Sequence, residues 1–380
     1  MSKHERYLQH FRNMDAKFAL ILRMGEILVR LHKAATLLLV TAIIMSLGLT
    51  DKAHASSSVS IPDPGLQQAI RAQLKRPTGS LTKSHLSSLT ILNAPNGEIS
   101  DLTGLEHASD LRVLNLNNNK INDITLLGKL TALRELDLRN NAITNISSLS
   151  GLQRLRSLDL RGNNISSVAP LRNITSLELL YLADNKIEDI SPLARLHRLT
   201  SMGLWNNNIS DLSPLANLKQ LEWLSLSNNK ITDISPLAQL NRLSYLSIWN
   251  NQLEDFSPLT KLDNLDTLDI SCTGATDLSA LRNHKNLSKL VAWGNKVSDL
   301  TPLSKLSNLT YLELELNEIT SIAPLLGLPK LSAVFIEDNP LSHANKDVLE
   351  ELYACKVNVY HNPLLPAILN QCGLDIFVPQ

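Results

Sequence analysis

Leu177-Glu178-Leu179-Leu180-Tyr181-Leu182-Ala183-Asp184-Asn185-Lys186-Ile187-Glu188-Asp189-Ile190-Ser191-Pro192-Leu193 decides the fold, because its pattern returns every 22 residues along the chain. An asparagine marks each return: Asn119, Asn141, Asn163, Asn185, Asn207, Asn229, Asn251, Asn295, Asn317 and Asn339, with Thr273 alone breaking the row. Five residues before each marker stands an apolar residue, from Leu114, Leu136 and Leu158 to Leu312 and Val334. Two residues after it comes another, as in Ile121, Ile143, Ile165, Ile187, Ile209 and Ile231. A fixed period of this size means that no single unit buries its own apolar side chains and that stacked neighbours bury them together.

The chemistry of one unit follows from its spacing. Leu158 and Leu160 alternate with Asp159 and Arg161, the period-2 pattern of a short strand with one buried face. Asn163 ends that strand, and its amide can both donate to and accept from backbone groups that the turn leaves unpaired. Ser191-Pro192-Leu193, Ser213-Pro214-Leu215 and Ser235-Pro236-Leu237 predict a capping serine, a proline at the first helical position and a buried anchor. This spacing is the leucine-rich-repeat template, L-x-x-L-x-L-x-x-N-x-I/L. The predicted fold class is therefore α/β: a right-handed leucine-rich-repeat solenoid with a parallel β-sheet on its concave face. Short 3-10 or loop segments form the convex side, and a helical cap closes the amino terminus.

Four segments follow: residues 1–55 as a signal peptide, 56–88 as a helical amino-terminal cap, 89–341 as a solenoid of about twelve units, and 342–380 as a carboxy-terminal cap and tail. Ala34 to Thr50 is uncharged and apolar, Arg23, Arg30 and Lys33 precede it, and Ala53-His54-Ala55 follows as a small-x-small cleavage pattern. The region ahead of it is long for a signal, which points to a true start at Met24 or Met14. A run of 17 apolar residues also leaves an uncleaved signal anchor as the alternative. Either way the expected location is secreted, periplasmic or cell-surface, and the mature form has no membrane span if the signal is cleaved.

Formal charge balances at 36 basic and 36 acidic residues, but residues 1–55 hold eight Lys/Arg against four Asp/Glu. The remaining chain is mildly acidic, which argues against nucleic acid as a partner, since phosphate binding needs a basic face.

The caps are atypical units, as sealing an apolar end requires. Leu66, Ala69, Ile70 and Leu74 form one apolar helical stripe, and a degenerate first unit runs through Leu89, Leu92, Ala94, Gly97, Ile99, Leu102 and Leu105. Lys346 to Cys355 reads as a helix with Val348, Leu349 and Leu352 inward, followed by a last strand from Val357 to Tyr360. Cys355 and Cys372 are candidates for a disulfide, and Cys272 is expected to be a buried thiol.

Catalytic patterns are absent: there is no H-E-x-x-H, G-x-S-x-G, P-loop or Cys-x-x-Cys. The histidines His85, His107, His197, His284, His343 and His361 fall at unrelated repeat positions and are expected on the surface or in caps. No enzyme activity, cofactor or metal site is predicted. One acidic column has two readings. Asp101, Asp123, Asp189, Asp211, Asp233, Asp255, Asp277 and Asp299 each lie four residues after the marker position. Calcium could bridge such stacked carboxylates, or each could accept backbone N–H groups of its own turn. The lack of further oxygen ligands favours the second.

The positions of the aromatic residues carry the functional signal. Outward strand positions lie six, four and two residues before the marker, and all four tryptophans occupy them: Trp223 at the first, and Trp205, Trp249 and Trp293 at the third. Tyr181 and Phe335 take the middle column, and Tyr245 and Tyr311 join Trp223. Rings in alternate units are expected about 10 Å apart, forming an exposed patch. Tyr181, Trp205, Trp223, Tyr245, Trp249, Trp293 and Tyr311 are therefore the predicted ligand-binding residues, for a protein or a glycan. The competing reading packs these rings on their cross-strand neighbours to stiffen the sheet. Glu135, Asp137, Arg139, Asp159 and Arg161 make the amino-terminal part of the same face charged, a solvated surface or the polar end of a long interface.

With these motifs in place, residues 61 to about 361 resemble the bacterial internalin-type leucine-rich-repeat proteins. The resemblance implies a concave face that grips a host-cell or other extracellular protein. Contact residues lie outside the repeat motif, so none carries over. No sorting motif, immunoglobulin-like module or cell-wall repeat follows the solenoid here. The unit is also similar to that of cytosolic phosphatase-regulating repeat subunits, which suggests a scaffold using its convex side or caps as the alternative; the apolar leader argues for export.

Overall fold

The structure is a computed structural model that describes residues 58–341 and 344–360. The expected signal segment and the residues after 360 lie outside the described residues. The first ordered turn is set by Asp63, which caps helix α1 (Pro64–Leu74) by accepting the Leu66 amide at 2.9 Å. Its second oxygen accepts the amides of Ser100 and Asp101, so one carboxylate ties the cap helix to the first coil. Burial raises its pKa, but the backbone donors outweigh this and hold the carboxyl below its ordinary value. Leu66 and Ile70 are fully buried, with Ala69 and Leu74 packed beside the core. A short helix, α2 (Lys83–Ser87), leads into the repeats.

From there one parallel sheet takes thirteen three-residue strands in chain order, from β1 (Ile91–Asn93) to β12 (Ala333–Phe335) and β13 (Asn358–Tyr360). Pairing advances by 22 residues each time: Leu92 faces Leu114, Leu180 faces Met202, and Leu290 faces Leu312. The last step is longer, with Val334 facing Val359, because helix α3 (Asn345–Ala354) intervenes. The inward residue of every strand is buried, and one apolar cluster runs from Ile61 to Val359. Eleven short 3-10 turns form the opposite side among the described residues, from Leu105–His107 to Ala323–Leu325. This is the predicted leucine-rich-repeat architecture.

Between coils the asparagines are the fasteners. Asn207 accepts the Ile187 amide at 3.0 Å and donates to the carbonyls of Leu182 and Leu204, both at 3.0 Å. The other nine asparagines repeat this arrangement, which satisfies buried polar groups in two adjacent coils at once. At the break, the Thr273 hydroxyl donates to the Ile270 carbonyl of its own coil at 2.6 Å and to Asn295 Oδ1 of the following coil at 3.4 Å. The residue before each marker adopts positive φ, from Asn118 (56°) to Asp338 (55°), a conformation that Asn, Asp and Gly tolerate best.

Three expectations are corrected. The serine of Ser-Pro-Leu is not the cap: Ser191 begins the 3-10 turn Ser191–Arg195, and Ile190 occupies the cap position without a side-chain bond. Asp189 supplies the acceptor instead, taking the Ser191 amide at 2.7 Å and its hydroxyl at 3.1 Å. All eight aspartates of that column accept an amide two residues on, so their lone pairs serve their own turns. His284 is the second correction, a core residue rather than a surface one: it is 1% exposed and stands in register with Leu262 and Leu306. Its Nε2 lies 3.0 Å from the Leu259 carbonyl, which lets a polar ring occupy an apolar column. The third concerns the cysteines. Cys272 is disulfide-bonded rather than a thiol, and Cys355 is free and exposed, while its expected partner Cys372 lies outside the described residues.

Candidate functional site

The outward face of the sheet gathers every predicted aromatic residue, but not as a row of exposed rings spaced at 10 Å. Trp223 is the centre of one group. Its ring stacks on Tyr245 at 5.0 Å, and Tyr181 and Trp205 meet it edge-on at 6.2 and 6.3 Å. Trp249 and Trp293 form a second group, with centroids 6.4 Å apart although two coils separate them. A small side chain explains this: Ser271 stands between them in the same column, and the two indoles lean across it. Tyr311, Phe335 and Tyr360 form the third group, at 5.4 and 4.3 Å.

Packing of this kind removes much of the rings from water. Tyr181 and Trp293 are 5% and 6% exposed, and Trp205, Trp223, Tyr245, Trp249 and Tyr311 are half-buried. The expectation of an exposed patch gives way to a set of mutually braced rings that offer edges to solvent. Among the described residues the large apolar side chains that are exposed are Tyr353 and Tyr360.

Room for the first group comes from Gly203 on strand β6 (Ser201–Gly203). A Cβ there would stand 2.6 Å from Cζ3 of Trp205 and 3.1 Å from Cδ1 of Tyr181. Glycine inside a strand is the sequence signal that points to such a close approach, and here it lets two rings cross the sheet. The Tyr181 hydroxyl, 2.9 Å from that of Ser201, has a pKa pushed above its ordinary value by burial.

Polar groups lie beneath and beside the rings. The hydroxyls of Ser227 and Ser247 are 2.6 Å apart, and Ser247 donates to Asp269 at 3.2 Å. The same carboxyl accepts both the amide and the hydroxyl of Ser271. Burial raises the Asp269 pKa in spite of these bonds. This buried string of hydroxyls under the tryptophans was not legible in the motif, because serine at an outward position also reads as plain solvated strand.

At the amino-terminal end the charges are internally matched. Arg139 and Arg161 bind Asp137 and Asp159, each with a 2.8 Å contact to the carboxylate in its own coil. Arg161 also covers two rings, 5.3 Å from the Tyr181 centroid and 5.6 Å from that of Trp205. One guanidinium thus joins the charged and aromatic parts of the face. Towards the other end Lys289 stands 4.5 Å above the Tyr311 ring, and the Tyr311 hydroxyl donates to Glu313 at 2.6 Å. Burial, and then the carboxylates of Glu313 and Glu315, push the Tyr311 pKa upward.

A family model described as a leucine-rich repeat region matches residues 85–365. An internalin (inlF) from Listeria monocytogenes is 32% identical, with the match covering 86% of this chain and 100% of that one at a TM-score of 0.78. Internalin C2 from the same organism is 38% identical over 55% of this chain and 94% of its own, at a TM-score of 0.53. A leucine-rich-repeat protein of Leptospira interrogans, 22% identical, covers 70% of this chain and 83% of its own at 0.51, a likeness of fold alone. No curated protein sequence matches the chain.

Proposed function

The chain belongs to the leucine-rich-repeat family and is of the internalin type, and from that premise we propose that it is an exported, non-enzymatic protein that holds a protein ligand on the outward, concave face of its sheet. Proteins of this family serve as interaction scaffolds, and no helix among the described residues is long and apolar enough to cross a membrane. The observation that carries the reading is the spending of all four tryptophans, with Tyr181, Tyr245 and Tyr311, on that one face. An isolated packing role would be met by smaller side chains. Rings already braced by one another lose little freedom when a partner covers them, which is what an anchor requires. The leader at residues 1–55, with its apolar run and Ala53-His54-Ala55, supports export.

The test is capture of a partner by the purified protein and by a variant carrying Trp205→Ser, Trp249→Ser and Trp293→Ser. Capture is expected to fall at least tenfold in the variant while its far-ultraviolet dichroism is retained. Undiminished capture by the folded variant overturns the concave-face reading.

A further inference from the structure

We infer that Cys272 is bonded to Cys372, and that residues 361–372 are thereby strapped back over the outward face of the sheet between β13 and β9 (Thr267–Asp269). The occupant of that end of the face is a segment of this chain. The inference goes beyond the proposed function and does not depend on it.

The bond follows by elimination. The chain has three cysteines, of which Cys272 is disulfide-bonded and Cys355 is free, which leaves Cys372. Its formation takes two protons and two electrons from the two thiols, and an oxidised dithiol accepts them as its own disulfide opens. Cys272 stands at the rim of the outward face, in the row of residues that precede the markers. Along that row Asn206 donates to Asp184, Asn228 to Asn206 and Asn250 to Asn228, and the ladder ends at Cys272. Cys272 keeps the positive φ of the row, 49°, without the side-chain amide or the missing Cβ that tolerates it best. A covalent tether accounts for a cysteine at such a position.

The reach is ample. Tyr360 ends β13, and twelve residues lead from it to Cys372. At ~3.3 Å each they span about 40 Å, whereas the four strand spacings from β13 back to β9 amount to about 19 Å.

Burial marks the course of the strap. In the two outward columns nearest the rim, Asp269, Val291, Trp293, Glu313, Glu315 and Glu337 are all buried, and Phe335 is half-buried. The column farthest from the rim stays half-exposed on the same strands, at Thr267, Lys289, Tyr311 and Ala333. From β2 (Val113–Asn115) to β4 (Ser157–Asp159) the two near-rim columns are half-exposed at Asn115, Asp137, Arg139, Asp159 and Arg161, and buried at Asn117 alone. The same columns are thus covered at one end of the sheet and open at the other, and the covered end is the one beside Cys272. Residues 361–372 contain no Asp, Glu, Lys or Arg, so a strap made of them brings no like charge to the glutamates. Its backbone N–H groups suit buried carboxylates, and Leu364, Leu365, Ile368 and Leu369 suit Val291 and Trp293.

Two measurements on the full chain test this. Alkylation before reduction should modify Cys355 alone, and mass spectrometry of a non-reduced digest should find a linked pair containing Cys272 and Cys372 that dithiothreitol separates. A linked peptide containing Cys355, or alkylation of Cys272 before reduction, overturns the strap. Carbodiimide and glycine ethyl ester then label carboxylates in the parent, in Cys372→Ser and in the control Cys355→Ser. Labelling of Glu313, Glu315 and Glu337 should be roughly fivefold faster or more in Cys372→Ser and unchanged in the control, since covered groups react only through opening. The exposed Glu188 and Glu318 should label alike in all three proteins, which reports that each is folded. Unchanged labelling of the three buried glutamates in Cys372→Ser overturns the covering. Neither measurement needs a partner, so this inference and the proposed function stand or fall separately.

Discussion

At the scale of single residues, His284 is a buried polar group in an otherwise apolar column. Its column neighbours are leucines, and burial lowers its pKa from an ordinary 6.5. The sign follows directly. The unfolded chain takes up a proton as pH falls through about 6.5, the folded protein resists until a lower pH, and stability drops across that interval. His284→Leu restores the column and removes the titration. We expect it to stabilise the protein by about 1–2 kcal/mol at pH 7.5, where a polar ring is exchanged for an apolar one. The difference should widen at pH 5.5. Urea unfolding of both proteins at the two pH values measures it, and a gap that does not widen as pH falls refutes the assignment. The sequence contained this information: position 284 is in step with Leu262 and Leu306. Grouping histidines with one another, rather than with their columns, hid it.

At the scale of the element, the strands were legible and the rings upon them were not. Period-2 alternation in a 22-residue frame assigns Leu224 inward and Trp223 outward before any coordinate exists. It says nothing of side-chain torsions, and these bring Trp249 to Trp293 across two coils. They do so because the intervening residue is Ser271, just as Tyr181 and Trp205 converge because Gly203 has no Cβ. The turn was misread for a related reason. Ser-Pro-Leu looks like a cap by composition, but Asp189 two residues earlier is the stronger acceptor and takes both the Ser191 amide and hydroxyl. Gly203→Ala tests the element-scale account. The added methyl meets Trp205 at 2.6 Å, so the indole must move or β6 must shift, at a cost of about 1–3 kcal/mol. Near-ultraviolet dichroism should lose intensity as the Tyr181–Trp223–Trp205 group loosens. An unchanged spectrum with unchanged stability would mean that the rings are not held as described.

At the scale of the molecule, stability in a stack of coils is a chain of nearest-neighbour terms, so the weakest junction sets where it opens first. That junction lies between the coils marked by Asn251 and Thr273. Everywhere else a marker amide spans the gap: Asn251 accepts from Ile231 at 3.0 Å, and Asn295 accepts from Ala275 at 3.0 Å. Here the Leu253 amide reaches only the Thr273 carbonyl, at 3.3 Å, and Leu253 is 8% exposed where Ile231 and Val297 are 0%. His284 falls beside the same junction, so one amide position and one apolar position are replaced within about one turn of the stack. Thr273→Asn should supply the missing bonds, donating to the Ile248 carbonyl and accepting the Leu253 amide. Two added bonds of ordinary strength give about 1–2 kcal/mol. Amide hydrogen exchange in the unaltered protein should reveal faster sub-global opening around residues 251–262 than in the coils on either side, with the difference abolished in the variant. Uniform protection from Asn119 to Asn339, or a variant no more stable than its parent, would show that one missing rung does not divide the stack.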